Sequence, residues 1–240
     1  MTNIFNSKSL FITSDNHFFH ANIIKYCDRN YNYESTEDVL KMNEDMLKEF
    51  DNLPDDKNTV IWNLGDLAFG KMITNDENAF WELRKIVLRM KGEHRTLCYV
   101  IGNHDKDTFK ILGKRTVSKN VVDFFRSLGF DFVYNTPIIF REGVILSHEP
   151  VYLKPESGFT NIHGHTHNIN VDEKYFKVDI ENYEMKLKAA RADNMENISD
   201  VLVRWPHKEI NVNDYINVCL DANNMKILDF NKLLSRVNNK

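Results

Sequence analysis

Leu97-Cys98-Tyr99-Val100-Ile101-Gly102-Asn103-His104-Asp105 decides the fold. Five apolar residues read as a buried strand, and the strand stops at a glycine followed by an amide, an imidazole and a carboxylate. In open α/β sheets ligands bind at the carboxyl ends of strands. Two other apolar runs end the same way. Leu10-Phe11-Ile12-Thr13-Ser14 leads into Asp15-Asn16-His17, and Thr59-Val60-Ile61-Trp62-Asn63-Leu64 leads into Gly65-Asp66. Between these strands the spacing predicts helices. Ala21 to Cys27 makes a short one. Ser35 caps a longer one with Val39, Met42, Met46, Leu47 and Phe50 on its buried stripe. A third carries Phe80, Leu83, Ile86, Val87 and Met90, with a capping box at Thr74-Asn75-Asp76-Glu77 and Gly92 as its stop. Strand, helix, strand, helix, strand requires parallel strands joined by right-handed crossovers, so the architecture is α/β.

Beyond Asp105 the pattern changes. Val121 to Leu128 is helical and closed by Gly129, and short strands follow at 130–134, 137–140 and 144–147, the last two as a hairpin through Arg141-Glu142-Gly143. Ser147 leads into His148, and Phe159-Thr160-Asn161-Ile162 leads into His163-Gly164-His165-Thr166-His167. A second sheet thus delivers imidazoles to its strand ends as the first delivers carboxylates. Residues 168–213 read as an insertion, with a strand at 175–180, a charged helix at 183–195 and an apolar run at 201–205. The chain closes with 215–220 and 226–230 as a hairpin about an Asn-Asn turn.

A chain of 240 residues suits one domain and buries a substantial core. Its net charge of −4 supplies no global basic field for nucleic acid or an anionic membrane. Met1 to Lys8 lacks the charged and apolar regions of a signal peptide, and no apolar run is long enough to cross a bilayer, which predicts a cytoplasmic protein. Cys27, Cys98 and Cys219 are odd in number and dispersed, so neither a disulfide framework nor a thiolate metal cage is expected.

The polar groups at strand ends are Asp15, His17, Asp66, Asn103, His104, His148, His165 and His167. Imidazoles and carboxylates with one amide and no thiolate suit Mn, Fe, Co, Ni or Zn. They outnumber the needs of one ion. Two ions sharing a carboxylate, roughly 3.5–4 Å apart, form the usual centre for hydrolysing phosphate esters.

Asp-x-His, Gly-Asp, Gly-Asn-His-Asp, an isolated His and Gly-His-x-His, in that order from Asp15 to His167, resemble the calcineurin-like metallophosphoesterases. The stretch Thr13 to Ile24 resembles a small bacterial and phage branch of that family. The resemblance implies an α/β fold of the two-sheet αββα sandwich type, as one metallophosphoesterase domain over 1–240 with the insertion at 168–213. It implies two divalent metal ions, Mn, Fe, Ni or Zn. Asp15, His17 and His167 would hold one, Asn103, His148 and His165 the other, and Asp66 would bridge them. A hydroxide between the metals would attack phosphorus, and His104, itself no ligand, would protonate the leaving oxygen. An imidazole suits that role because its unperturbed pKa is about 6.5.

Departures from the family pattern narrow the substrate. Leu67-Ala68-Phe69-Gly70 stands where protein phosphatases of the family carry Asp-Arg-Gly, which argues against that activity and leaves His104 without its usual orienting Asp. His104 itself argues against the lipid A branch, which has arginine there. The expected reaction is hydrolysis of a small, nucleotide-type phosphodiester. A nuclease or phosphomonoesterase is the alternative, and a non-catalytic scaffold a distant one. His20 is read as either a contact to substrate phosphate or a helix cap. Arg29 stands where the branch has Arg-Pro-Phe but is followed by Asn30-Tyr31, and reads as a solvated surface residue. His94, His163 and His207 read as structural or exposed. Asp105 reads as a loop-polarising residue or a partner of a ligand.

Overall fold

The structure, a computed structural model, describes residues 4–5, 7–70, 73, 77–141, 143–172, 175–176 and 210–237. It is α/β, built on two sheets. β1 (Ser9–Thr13), β2 (Thr59–Asn63), β3 (Thr96–Val100) and β4 (Phe132–Tyr134) run parallel, and β9 (Leu228–Asp229) joins antiparallel to β1, giving the order β4-β3-β2-β1-β9. The second sheet has the order β5-β6-β7-β8, formed by β5 (Ile138–Arg141), β6 (Val144–Ser147), β7 (Thr160–His163) and β8 (Tyr215–Asn217). Only β5 and β6 pair antiparallel, as the expected hairpin.

Successive side chains of a strand point to opposite faces, and the two cores follow that alternation. Ile61, Leu97, Tyr99 and Val133 face one core with α1 (Ala21–Tyr26), α2 (Thr36–Asp51), α3 (Ala79–Lys91) and α5 (Val121–Leu128). Leu10, Ile12, Val60, Trp62, Cys98 and Val100 face the other, against Phe140, Val144, Leu146 and Ile162 of the second sheet. The second core therefore lies between the sheets. Ser35 Oγ accepts from the Asp38 amide at the start of α2, as its sequence position requires. Gly92 and Gly129 follow α3 and α5 with φ of 65° and 128°.

Three departures from the sequence reading matter. Asn103 to Asp105 is the first turn of a helix, α4 (Asn103–Leu112), rather than a loop. The closing segment is not a hairpin. β8 pairs parallel with β7 in the second sheet and β9 pairs with β1 in the first, because the turn at Asn224 and Met225, both at positive φ, carries the chain from one sheet to the other. Between them Val218 donates to the His163 carbonyl and Leu220 to the Ser14 carbonyl, which ties both sheets together beside their strand ends. A last helix, α6 (Phe230–Val237), buries Phe230 and Leu234 in the core between the sheets.

Thr74 to Asp76 of the expected capping box lie outside the described residues; α3 starts after Asn78. In the insertion, Tyr175 and Phe176 form a turn where a strand was expected. The remainder of that strand, the helix at 183–195, the run at 201–205 and His207 lie outside the described residues. Among the described residues no helix is long and apolar enough to cross a membrane.

Candidate metal centre

Five strands end at one place. The loop after β1 carries Asp15 and His17, the loop after β2 carries Asp66, and the first turn of α4 carries Asn103 and His104. The ends of β6 and β7 carry His148, His165 and His167. Asp15, His17, Asp66, His165 and His167 all have positive φ, between 49° and 68°. Non-glycine residues rarely adopt that conformation, each at a cost of order 1–3 kcal/mol, and such residues cluster at functional sites. Here the left-handed turn reverses the backbone so that side chains from parallel strands aim at one point. The loops also need close approach. A Cβ on Gly102 would collide with the Asp66 side chain, and one on Gly164 with Ser14 and Asp15.

Each carboxylate is fixed by one oxygen and presents the other. Asp15 Oδ2 accepts from the His165 amide at 2.8 Å and from Cys219 Sγ at 3.0 Å. Asp15 Oδ1 has no hydrogen-bond partner among the described residues and lies 3.8 Å from His17 Nε2 and 3.9 Å from His167 Nε2. Asp66 Oδ1 accepts from the His104 amide at 2.9 Å. Asp66 Oδ2 lies 3.4 Å from His148 Nε2 and 3.8 Å from His17 Nε2. Asn103 Oδ1 closes the far side, 2.9 Å from His148 Nε2 and 3.0 Å from His165 Nδ1.

The donor atoms of Asp15, His17 and His167 lie within 4.8 Å of one another, as do those of Asp15, Asp66 and His148. Spacings of 3.4–3.9 Å exceed a hydrogen bond. They suit donors that each reach about 2 Å to a shared divalent ion. Buried Asp15 Oδ1 and both ring nitrogens of His17 are unpartnered among the described residues, an arrangement costly for a protein interior unless something else satisfies them. The residues present therefore fit divalent metal, and all seven expected ligands share the site.

The electrostatics agree. Burial works to lower the His148 imidazole, but the Asp66 carboxylate 3.4 Å away and the charge of Asp15 carry it up to about 9. A potential that holds an imidazolium in the interior also draws divalent cations. Burial lowers His17 below its ordinary value, keeping its ring nitrogens free to act as ligands.

Partners behind the ligands orient them. His148 Nδ1 donates to the Leu64 carbonyl at 2.8 Å, which turns Nε2 toward Asp66. His167 Nδ1 donates to Asp221 Oδ2 at 2.7 Å, which turns Nε2 toward Asp15. Asp221 is in turn gripped by both arms of Arg29, with Nε at 2.7 Å from Oδ1 and a terminal nitrogen at 3.0 Å from Oδ2. Arg29 also donates to the Asp15 and Asn16 carbonyls, each at 3.0 Å. The expectation of a solvated Arg29 is overturned: it is buried, and its planar fork bolts the β1 loop to the segment after β8. Asp221 and Cys219 carry no signal in the sequence, because an isolated Asp or Cys reaches the site only through the crossing between sheets.

Asp105 is buried beneath the ligands. Its carboxylate accepts from the amides of Asp66 (3.0 Å), Leu67 (3.1 Å) and Gly102 (2.7 Å) and from Tyr99 Oη (2.6 Å), so one side chain locks two of the ligand-bearing loops. His104 lines a cavity of about 500 Å³ with His17, His165 and His167. Its ring packs against Phe69, centroids 4.9 Å apart, in the segment where an orienting Asp was missing. His20 precedes α1, but its side chain makes no capping bond. It is buried between His17 (5.3 Å) and Phe69 (5.1 Å), with Nδ1 unpartnered among the described residues. His163 is structural as expected: it is buried, with Nδ1 against the Gly164 carbonyl at 2.8 Å. His94 is exposed.

No protein-family model matches the chain. Over 107 residues, 44% of its length, the chain is 33% identical to MJ1445, an uncharacterised protein of Methanocaldococcus jannaschii. The match covers 52% of MJ1445, so the chain spans about half the length of this curated relative. The crystal structure of AQ665, a protein of unknown function from Aquifex aeolicus, aligns with a TM-score of 0.50 over 95% of this chain and 98% of that one, at 18% identity. That likeness concerns the fold alone.

Proposed function

We propose that this chain is a divalent-metal-dependent phosphoesterase of the calcineurin-like type, with the αββα sandwich that type implies, and that it hydrolyses small phosphodiesters. One observation carries the reading. Asp15 and Asp66 each turn one oxygen toward two imidazole nitrogens, at 3.4–3.9 Å, and Asp15 Oδ1 and both His17 ring nitrogens have no other partner among the described residues. Asp15, His17 and His167, with Asp66, would hold one ion, and Asn103, His148 and His165, with Asp66, a second. When bound, two such ions supply Lewis acidity and neutralise charge on phosphoryl oxygens.

The remaining work falls to this chain's own side chains. His104, held by its amide to Asp66 and by its ring to Phe69, presents an imidazole N–H to the cavity and delivers the proton to the departing ester oxygen. His20 offers its free nitrogen to the phosphate. No described lysine or arginine lines the cavity. A dianionic monoester or a run of nucleic-acid phosphates would place charge there beyond what the two ions offset, with no lysine or arginine to share it, so a singly charged diester fits best.

The test strips the protein of metal, resupplies Mn²⁺ or Ni²⁺, and compares chromogenic phosphate mono- and diesters, with Asp66→Asn alongside. Metal-dependent cleavage that favours the diester and is lost in Asp66→Asn is the expected result. A wild type that binds two ions and cleaves neither ester overturns the reading and moves the scaffold alternative ahead.

A further inference from the structure

Among the described residues, two cavities share a wall beside the candidate metal centre. The first, about 500 Å³, is lined by His17, His104, His165 and His167 together with Tyr26 and Tyr175. The second, about 510 Å³, holds no ligand residue and is bounded by Phe19, Tyr33, Thr36, Val39 and Ile111. His20, Asn22 and Phe69 belong to both and form the wall between them. Asn22 is exposed at the rim of that wall. His20 within it is more than nine-tenths buried, and its Nδ1 has no partner among the described residues.

A buried, unpartnered imidazole nitrogen on a wall between two cavities is placed for a ligand that touches both. The linings say what that ligand carries. Apart from imidazoles, the described residues at the second cavity include Glu34 and Tyr33 as ionisable groups, and those at the first only its tyrosines and Cys27. Aromatic and aliphatic surface with a few amides and hydroxyls accepts an uncharged organic group, not a second phosphate.

We propose that the substrate is a linear phosphodiester with an uncharged organic group on each ester oxygen, one seated in each cavity and the phosphate crossing the wall at His20. This rests on the phosphoesterase reading and sharpens it. A cyclic nucleotide carries both ester oxygens on one sugar and fills one cavity only. A monoester likewise leaves the second cavity empty. The second cavity is thus a specificity site: Tyr33 and Thr36 contact the far group, and the chemistry stays at the metal centre.

The experiment measures KM and kcat of the Mn²⁺-loaded protein on three diesters: a bis-aryl phosphate, a methyl aryl phosphate and a cyclic nucleotide. Thr36→Trp, at an exposed position in the first turn of α2, fills the second cavity, and Tyr33→Ala empties it further; neither residue belongs to the metal centre. For the bis-aryl ester, Thr36→Trp raises KM about tenfold or more, and Tyr33→Ala raises it by a smaller factor. The methyl ester keeps its constants in both variants, and the cyclic ester is the poorest substrate of the wild type. Tyr33→Ala keeps the inference falsifiable should Thr36→Trp fail to fold. Bis-aryl hydrolysis with an unchanged KM in the folded variants, or a cyclic ester cleaved best, overturns the two-cavity inference while leaving the phosphoesterase intact. Failure of the metal-loaded wild type to cleave any ester overturns both.

Discussion

At the scale of single residues, the proposed function divides the site into groups that would hold metal, groups that orient them and a group that would move a proton. His104 holds Asp66 through its backbone amide, so replacing its ring keeps that bond and alters only an edge contact with the His17 ring, centroids 5.6 Å apart. His104→Asn is expected to keep both metals, measured by metal content, and to lower kcat by about 10²- to 10⁴-fold. Asp221 has the opposite signature. It fixes the tautomer of His167 at 2.7 Å and is itself fixed by Arg29. Asp221→Asn should weaken metal binding about 10- to 100-fold at one of two sites, read by calorimetric titration of the metal-free protein. An unchanged titration would mean that the contact merely packs. The two kinds of residue were unequally legible. Asp15, His17, Asp66, His148, His165 and His167 each follow an apolar run that reads as a strand, so their position announces that they meet at one sheet edge. Arg29, Cys219 and Asp221 act through contacts across more than a hundred residues of chain, and neither spacing nor propensity encodes those.

At the scale of elements, the parallel strands β1, β2 and β3 were readable because buried strands are continuous apolar runs, α2 because its cap and apolar stripe agree, and α5 because Gly129 closes an apolar run. Helix α4 was hidden by its own chemistry: its first turn is Asn103-His104-Asp105, residues that usually punctuate a loop. It forms because Asp105 turns back and accepts from the Gly102 amide at 2.7 Å while also binding the amides of Asp66 and Leu67. The closing segment misled for a related reason. An Asn-Asn turn between apolar runs is the signal of a hairpin, yet here it switches sheets, and local chemistry does not tell which neighbour a strand will find. Asp105 bears most directly on the elements, since one carboxylate joins β2's loop to α4. Asp105→Asn keeps the volume but turns an amide donor toward groups that are all donors. It is expected to lower stability by about 2–4 kcal/mol, measured by urea unfolding at constant metal. A midpoint within error of the wild type would show that the loops hold without it.

For the whole molecule, the centre is a place where folding is worked against. Five residues in left-handed backbone and two carboxylates whose oxygens approach within 4.8 Å of each other are brought together by strands from two sheets. The long apolar cores on both faces of the first sheet hold that arrangement in place. A ligand that binds only the folded state stabilises it by mass action, about 2.7 kcal/mol at a hundredfold excess over Kd, and two sites act together. For a chain of this size each kcal/mol shifts Tm by about 2–4 °C, so saturating Mn²⁺ or Zn²⁺ should raise Tm by about 10–20 °C over chelated protein. Asp66→Asn separates the causes. Burial works to raise the Asp66 carboxyl, but His148 and His17 hold it below its ordinary range, so the metal-free variant should melt below the metal-free wild type while its response to metal shrinks severalfold. If Asp66 served only the loop, the metal-free Tm would fall and the response to metal would stay intact. Differential scanning calorimetry of both proteins, with and without metal, decides between a centre built to receive cations and a polar cluster that only joins two sheets.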